Sequence, residues 1–250
     1  MRPTWAEIDL QTISENTTIF SHLLDGIELC AVVKADGYGH GAIPIAKTVL
    51  DAGATWLAVA FVEEAADLRR GGIEAPILLL SEPRPNEMNE IVALGGVRPA
   101  IYTRVGVEAF ASATDEKLPV HLKVDTGMHR VGVSPEKAID VAKCIVSYGL
   151  ELEGVFTHFA VASRPEDQFN IKQIRLFDKV ISELSKEGLE PPIIHQANTA
   201  AAIQWPESHR TMVRIGIGLY GTEPSPIFID RFKELGLKPA VWLRSEVTHL

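Results

Sequence analysis

From Leu29 to Tyr220, short runs of consecutive apolar and β-branched residues alternate with longer stretches whose apolar positions recur at helical spacing, with a period of roughly 25 to 35 residues. Runs that are apolar at successive positions, rather than at every second one, suit strands covered on both faces, as in a parallel sheet. The runs at 29–35, 55–61, 76–81, 97–103, 119–125, 152–159, 193–197 and 212–217 predict eight strands. Stretches at 63–70, 85–94, 135–147 and 170–187 predict helices between them. Ser134 stands at an N-cap ahead of Pro135, and Gly71-Gly72, Gly95-Gly96, Gly149 and Gly188 serve as C-terminal stops. Eight such units predict an α/β fold, a (β/α)8 barrel of the TIM type, with a doubly wound open sheet as the alternative.

The two ends fall outside this repeat. Residues 5–10 predict an extra strand, followed by a helix to about Leu24, and residues 238–248 predict one more strand. Val241, Trp242, Leu243 and Val247 on that last strand need a sheet partner, which is not expected within this sequence. The expected organisation is therefore a barrel over 1–237 and the first strand of a truncated β domain over 238–250. Pairing of the last strand with 5–10 is the alternative.

Composition narrows the classes. With 250 residues and 46% hydrophobic side chains, the chain has material for a large core. Its 24 basic and 33 acidic residues leave a net charge of −9, and no basic run exceeds Arg69-Arg70, so neither nucleic acid nor an anionic membrane is an expected partner. The charged opening Met1–Asp9 does not suit a signal peptide, and the longest apolar stretch, about 52–62, is far too short to span a bilayer. Cys30 and Cys144 lack a C-x-x-C spacing and are expected as reduced, buried thiols in a cytoplasmic protein.

Candidate chemistry begins at Lys34, at the C-terminal end of the first barrel strand, where barrel enzymes carry their active sites. A partly desolvated lysine there has a lowered pKa and offers a free amine for Schiff-base chemistry; a surface or salt-bridging lysine is the other reading. Arg214 ends the eighth strand beside Gly216 and Gly218, whose amides sit where barrels bind phosphate. Pairing of Arg214 with a neighbouring carboxylate is the bland alternative. Thr199, where the seventh strand becomes a helix, is suited to cap that helix or to bind phosphate at its N-terminus. Lys123 points inward on the fifth strand, and Arg130, in the loop beyond, is a bidentate donor suited to a carboxylate. His158 lies between Phe156 and Phe159 as a site residue or a satisfied core histidine. His121, His158 and His195 all lie on strands, yet no metal-binding spacing joins them and no metal is expected. No strand-linked nucleotide-binding glycine motif is present.

Five segments, VVKADGYGHG at 32–41, HLKVDTGMHRVG at 121–132, THFA at 157–160, HQANTAA at 195–201 and VRIGIGLYG at 213–221, together resemble the alanine racemases, barrel enzymes that use pyridoxal 5'-phosphate. The likeness runs over essentially the whole chain and in the family's order. It implies that Lys34 forms the internal aldimine and is the base on the D side of the substrate. It implies that Tyr38, Asn198, Thr199 and the Gly216 and Ile217 amides hold the cofactor, and that Arg214 faces the pyridine nitrogen. A guanidinium accepts no proton, so it leaves that nitrogen unprotonated and favours proton exchange over transamination. His158 is implied to bond Arg214, Arg130 to bind the substrate carboxylate or the cofactor's phenolic oxygen, and Lys123 to be a candidate for carbamylation. The family often has serine where Thr199 stands; the hydroxyl is retained. His129 is assigned no role.

The implied activity is the interconversion of L- and D-alanine, which supplies D-alanine for peptidoglycan. The alternatives are a racemase of another small amino acid such as serine, or a stand-alone pyridoxal-phosphate carrier or regulatory barrel. Racemisation takes two bases on opposite faces of the α-carbon. In the family the second is a tyrosine from the C-terminal β domain of the other subunit of a homodimer. None of Tyr38, Tyr102, Tyr148 and Tyr220 matches that motif, so this chain alone is expected to bind cofactor with little or no turnover.

Overall fold

The computed structural model describes residues 3–247. The chain opens with β1 (Thr4–Ile8) and α1 (Leu10–Leu24). Asp9 starts α1, its carboxylate accepting the Thr12 N–H at 3.1 Å and the Thr12 hydroxyl at 2.8 Å, and these bonds hold the Asp9 carboxyl below its ordinary pKa. All eight predicted barrel strands form: β2 (Glu28–Val32), β3 (Trp56–Val59), β4 (Ile77–Leu79), β5 (Val97–Ile101), β6 (Pro119–Lys123), β7 (Glu151–Phe156), β8 (Ile193–His195) and β9 (Met212–Ile215). Each is parallel to its neighbours, in the order β8-β7-β6-β5-β4-β3-β2-β9. The seam between β8 and β9 is closed by Thr211 N–H donating to the Ile194 carbonyl and Arg214 N–H to the Ala197 carbonyl, both at 3.1 Å. The alternative of an open, doubly wound sheet is thereby excluded.

Helices α2 (Lys34–Gly39), α3 (Ala42–Asp51), α4 (Val62–Arg70), α5 (Met88–Leu94), α6 (Arg104–Ser112), α7 (Ala138–Ser147), α8 (Phe169–Lys186) and α9 (Thr199–Gln204) lie between the strands, and α10 (Ile229–Leu235) follows β9. The strands stop two or three residues short of their predicted C-terminal ends. Lys34, His158 and Asn198 therefore stand on the rim, just beyond β2, β7 and β8. Ser134 occupies its predicted N-cap position without a side-chain cap bond, and Cys144 is half-buried where Cys30 is fully buried.

The last strand, β10 (Val241–Ser245), departs from expectation: it does find a partner within this chain. It pairs antiparallel with β1 from Thr4↔Ser245 to Ile8↔Val241. Thr248, the predicted end of this strand, lies outside the described residues. Buried Asn16 holds the ribbon to the barrel, donating to the carbonyls of Leu219 at 3.0 Å and Lys238 at 2.8 Å and accepting the Lys238 N–H at 3.0 Å. Gly221 adopts φ +72°, and a Cβ there would collide with the Lys238 backbone, so only glycine allows the chain to pass. Pairing leaves Trp5, Trp242, Leu243 and Val247 exposed.

Phe20 and Leu243 mark the two extremes of apolar environment. Phe20 is fully buried with its ring against Gly218, whereas Leu243 is 78% exposed. Phe20→Ala is expected to cost about 3–5 kcal/mol in denaturant unfolding, and Leu243→Glu to change stability by less than about 0.5 kcal/mol.

Candidate active site

One cavity of about 330 Å³ opens at the C-terminal ends of the strands, a size suited to a small organic ligand. Lys34, Tyr38, Lys123, Arg130, His158, Asn198, Thr199, Arg214, Gly216 and Ile217 all line it, so every candidate site residue of the sequence reading meets there. Four of them have basic side chains, and among the described lining residues there is no carboxylate. On a chain with a net charge of −9, this concentrates positive potential at one concave place, which favours an anionic ligand.

Lys34 and Tyr38 reach the cavity from an unusual turn. Ala35, Asp36, Gly37 and Tyr38 all have left-handed backbone, with φ between 52° and 61°. Non-glycine residues in that region cost about 1–2 kcal/mol each. The surroundings offset this cost with charged acceptors. The Glu64 carboxylate accepts the Ala35 N–H at 2.6 Å, together with those of Ala60 at 2.7 Å and Phe61 at 3.1 Å at the start of α4. Asp36 accepts the Ala42 N–H at 2.7 Å. Lys34 is half-buried. Tyr38 lies across Gly216, where an added Cβ would come within 2.9 Å of its hydroxyl, and burial pushes that hydroxyl's pKa up.

The N-terminus of α9 shows a division of labour that differs from expectation. Asn198, not Thr199, caps the helix, accepting the Ala201 N–H at 3.1 Å. The Thr199 hydroxyl instead accepts from the Gly216 and Gly218 N–H groups at 3.2 and 3.4 Å, tying α9 to the loop after β9. Gly216, Ile217, Asn198 and Thr199 thus form one polar cradle at the cavity wall.

Arg214 is 3% exposed, and each of its side-chain hydrogen bonds goes to a neutral group. It donates to Nδ1 of His195 at 2.6 Å, to the carbonyls of Thr157 at 2.7 Å and Gln196 at 3.2 Å, and to Nδ1 of His158 at 3.3 Å. The carboxylate pairing weighed for it is absent among the described residues. Burial lowers its pKa to about 10. Burial, then the charges of Arg214, Lys123, Arg130 and Lys34, hold His158 well below the ordinary histidine range. His158 is therefore neutral and accepts from Arg214.

Lys123 is 5% exposed, donates to the Leu80 carbonyl at 2.7 Å and sits 5.1 Å over the Phe156 ring. Burial, then Arg214, Arg130 and Lys34, lower its pKa from 10.5 to about 7. Near neutrality a large share of its amine is unprotonated and nucleophilic. Arg130 lies exposed on the loop after β6, at the cavity edge.

Sequence reasoning missed a second layer. His121 and His195, weighed as metal ligands, are buried and bonded to each other at 2.9 Å, with His121 also 3.2 Å from Glu153. Gln173, 1% exposed, donates to the His158 carbonyl at 3.1 Å and accepts the Ala160 N–H at 2.9 Å, fixing the loop that carries His158. A polar residue inside an otherwise apolar strand was the available signal for both histidines; Gln173 carried none.

A family model described as alanine racemase, N-terminal domain, matches residues 8–224. The chain belongs to the alanine racemase family. It is 42% identical over 229 residues to alanine racemase 1 of Oceanobacillus iheyensis, covering 89% of this chain and 61% of that protein. It is 40% identical to the alanine racemase of Desulforamulus reducens, covering 99% and 68%. Among solved structures, the alanine racemase of Bacillus anthracis with bound L-Ala-P is 36% identical with a TM-score of 0.90, covering 100% of this chain and 65% of that one. That of Clostridium difficile 630 is 34% identical with a TM-score of 0.92, covering 99% and 69%. The chain therefore spans roughly two thirds of the length of these family members.

Two expectations follow from this geometry. Thr199→Val keeps the shape but strips the acceptor from two buried N–H groups; unfolding free energy should fall by about 1–3 kcal/mol, and by less in Thr199→Ser. Between pH 7 and 10.5 the native state holds fewer protons on Lys123 than the unfolded chain. In carbon-dioxide-free buffer, wild-type stability should therefore rise relative to Lys123→Met as pH increases through that window, by up to about 1.4 kcal/mol per unit, and the gain should vanish as pH falls to 7.

Proposed function

We propose that this chain is the cofactor-holding barrel of a pyridoxal-phosphate-dependent racemase that interconverts L- and D-alanine. The observation that carries this reading is the meeting of Lys34, Tyr38, Arg214 and the Thr199–Gly216 cradle in one cationic cavity. The donor set suits the cofactor group by group: backbone amides and a hydroxyl near a helix N-terminus for phosphate, a buried guanidinium for a ring nitrogen, and a primary amine for an aldehyde. Bound there, pyridoxal phosphate supplies an electron sink conjugated to the α-carbon of an amino acid.

The chain's own groups do the rest. Lys34 holds or releases a proton at its Nζ on one face of that α-carbon. Arg214, whose donors are oriented by four neutral acceptors, gives a hydrogen bond to the ring nitrogen and takes no proton from it. Tyr38, Asn198, Thr199, Gly216 and Ile217 bind the phosphate. Arg130 orients the substrate carboxylate or the phenolic oxygen, and the unprotonated Lys123 amine, with its pKa near 7, adds carbon dioxide and releases one N–H proton to solvent, becoming a carbamate whose negative charge orients Arg130. His158 joins Arg214 to the second base, a tyrosine supplied by the β domain of the other subunit of a homodimer.

In this reading residues 1–237 are the barrel and 238–250 begin the β domain. The ribbon of β1 and β10, with Trp5, Trp242 and Leu243 exposed, then lies against that domain. The protein works in the cytoplasm and supplies D-alanine for peptidoglycan. Among the described residues no helix is long and apolar enough to cross a membrane.

The test is to add pyridoxal phosphate to the purified chain, reduce with borohydride and locate the adduct by peptide mass. A near-visible band and an adduct on Lys34, both lost in Lys34→Ala, are expected. A folded wild-type chain whose adduct forms elsewhere, equally in Lys34→Ala, would sink the assignment.

A further inference from the structure

The barrel interior carries a line of polar side chains leading to Arg214, of which the chemistry above uses only Arg214 and its bond to His195. It starts at Arg98 on β5 and Glu153 on β7, near the N-terminal ends of the strands, and finishes at Arg214 in the cavity. Arg98 donates to Glu153 through Nε at 3.1 Å and Nη2 at 3.4 Å. Nε2 of His121 lies 3.2 Å from Glu153, Nδ1 of His121 lies 2.9 Å from Nε2 of His195, and Nδ1 of His195 lies 2.6 Å from Nη1 of Arg214.

The proton positions in this line follow from its ends. A guanidinium only donates, so Nδ1 of His195 must be bare and its proton must sit on Nε2. That proton points at Nδ1 of His121, which must be bare in turn. The His121 proton then sits on Nε2 and points at the Glu153 carboxylate, which only accepts. Protonating either ring would place two hydrogens in one bond. Both rings are fully buried, and burial holds both below the ordinary histidine range. Burial alone would raise Glu153, yet the bonds from His121 and Arg98 leave it below its usual value and ionised.

The line is built into the packing. The His195 ring stacks on Phe156 at 4.6 Å, and Arg214 lies over the same ring at 5.2 Å. Gly154 makes room for His121: a Cβ there would come within 2.5 Å of its Nδ1. Three donors thus point the same way, from a buried cation with no carboxylate in contact toward a carboxylate two rings away. Hydrogen bonds aligned head to tail polarise one another.

We infer that Glu153 is the counter-charge of Arg214, acting through His195 and His121 as two neutral rings protonated on Nε2, and that these three positioning residues hold Arg214 as an oriented cation toward whatever it meets in the cavity. That its partner there is a pyridine nitrogen rests on the function proposed above. The relay itself does not, and it is tested without cofactor.

The full chain, labelled with ¹⁵N in histidine and arginine, reports ring tautomers and the Arg214 side chain by NMR. Wild-type His121 and His195 should both be neutral and protonated on Nε2 at pH 7. Glu153→Gln, which keeps an acceptor but removes the charge, should shift the ring signals of His121 and His195 and the Arg214 signals. Gly154→Ala, which displaces His121 and keeps the carboxylate, should shift His195 and Arg214 likewise. Arg98→Ala, which removes only the outer ion pair, should leave Arg214 nearly unmoved. A doubly protonated or Nδ1-protonated ring in the wild type, or a Glu153→Gln change that stops at His121, overturns the proposal. So does an Arg98→Ala effect on Arg214 equal to that of Glu153→Gln, since Glu153 would then be only half of a structural ion pair. If the wild type shows the predicted tautomers but takes up no pyridoxal phosphate, the functional reading fails while the relay stands.

Discussion

A guanidinium buried inside a barrel must find acceptors for donors that water no longer serves, and an unpaired buried charge is among the costliest features a core can hold. Arg214 meets that demand on β9 with acceptors from the ends of the two preceding strands: the Thr157 and Gln196 carbonyls and the rings of His158 and His195. Much of the site's organisation follows from this one placement. The rings must be neutral to accept, burial and nearby cations keep them so, and His121 and Glu153 extend the line of acceptors below. The barrel interior, usually filled by branched apolar side chains, is here partly polar on one side.

The adjoining wall of the cavity, after β2, is arranged by backbone strain. Four successive left-handed residues turn the chain sharply after β2, so that Lys34 and Tyr38 both reach the same cavity within a single short turn. Such a turn persists because the surrounding structure over-determines it. Glu64, in the first turn of α4 after β3, bonds the backbone at Ala35 while capping its own helix, and Asp36 bonds the start of α3. Local propensity opposes this conformation; tertiary acceptors make it stable.

The electrostatic contrast between site and surface joins these walls. An acidic chain gathers Lys34, Lys123, Arg130 and Arg214 around one concavity, and their mutual repulsion is tolerable because burial lets Lys123 give up its proton. An anionic ligand entering there relieves that repulsion. The same accumulation of charge keeps His158 neutral beside Arg214.

The sequence alone determined the barrel and which candidate residues would gather at its mouth. Eight apolar runs bounded by glycine and proline stops can be buried on both faces only in a parallel, helix-covered sheet, and the residues at their C-terminal ends converge because the barrel closes. Lys34, Lys123, Arg130, His158, Thr199, Arg214 and Gly216 were legible in this way; the family resemblance added Tyr38, Asn198 and Ile217 and gave each its candidate role, and all of them line the one cavity. What only the tertiary structure decided were bonds between residues far apart in the chain. These are the pairing of β10 with β1, the exchange of capping between Thr199 and Asn198, the neutral partners of Arg214, and the line from His195 through His121 to Glu153. A side chain's residue type states what it donates or accepts; which acceptor stands within 3 Å depends on how the strands stagger around the barrel, and no local pattern encodes that.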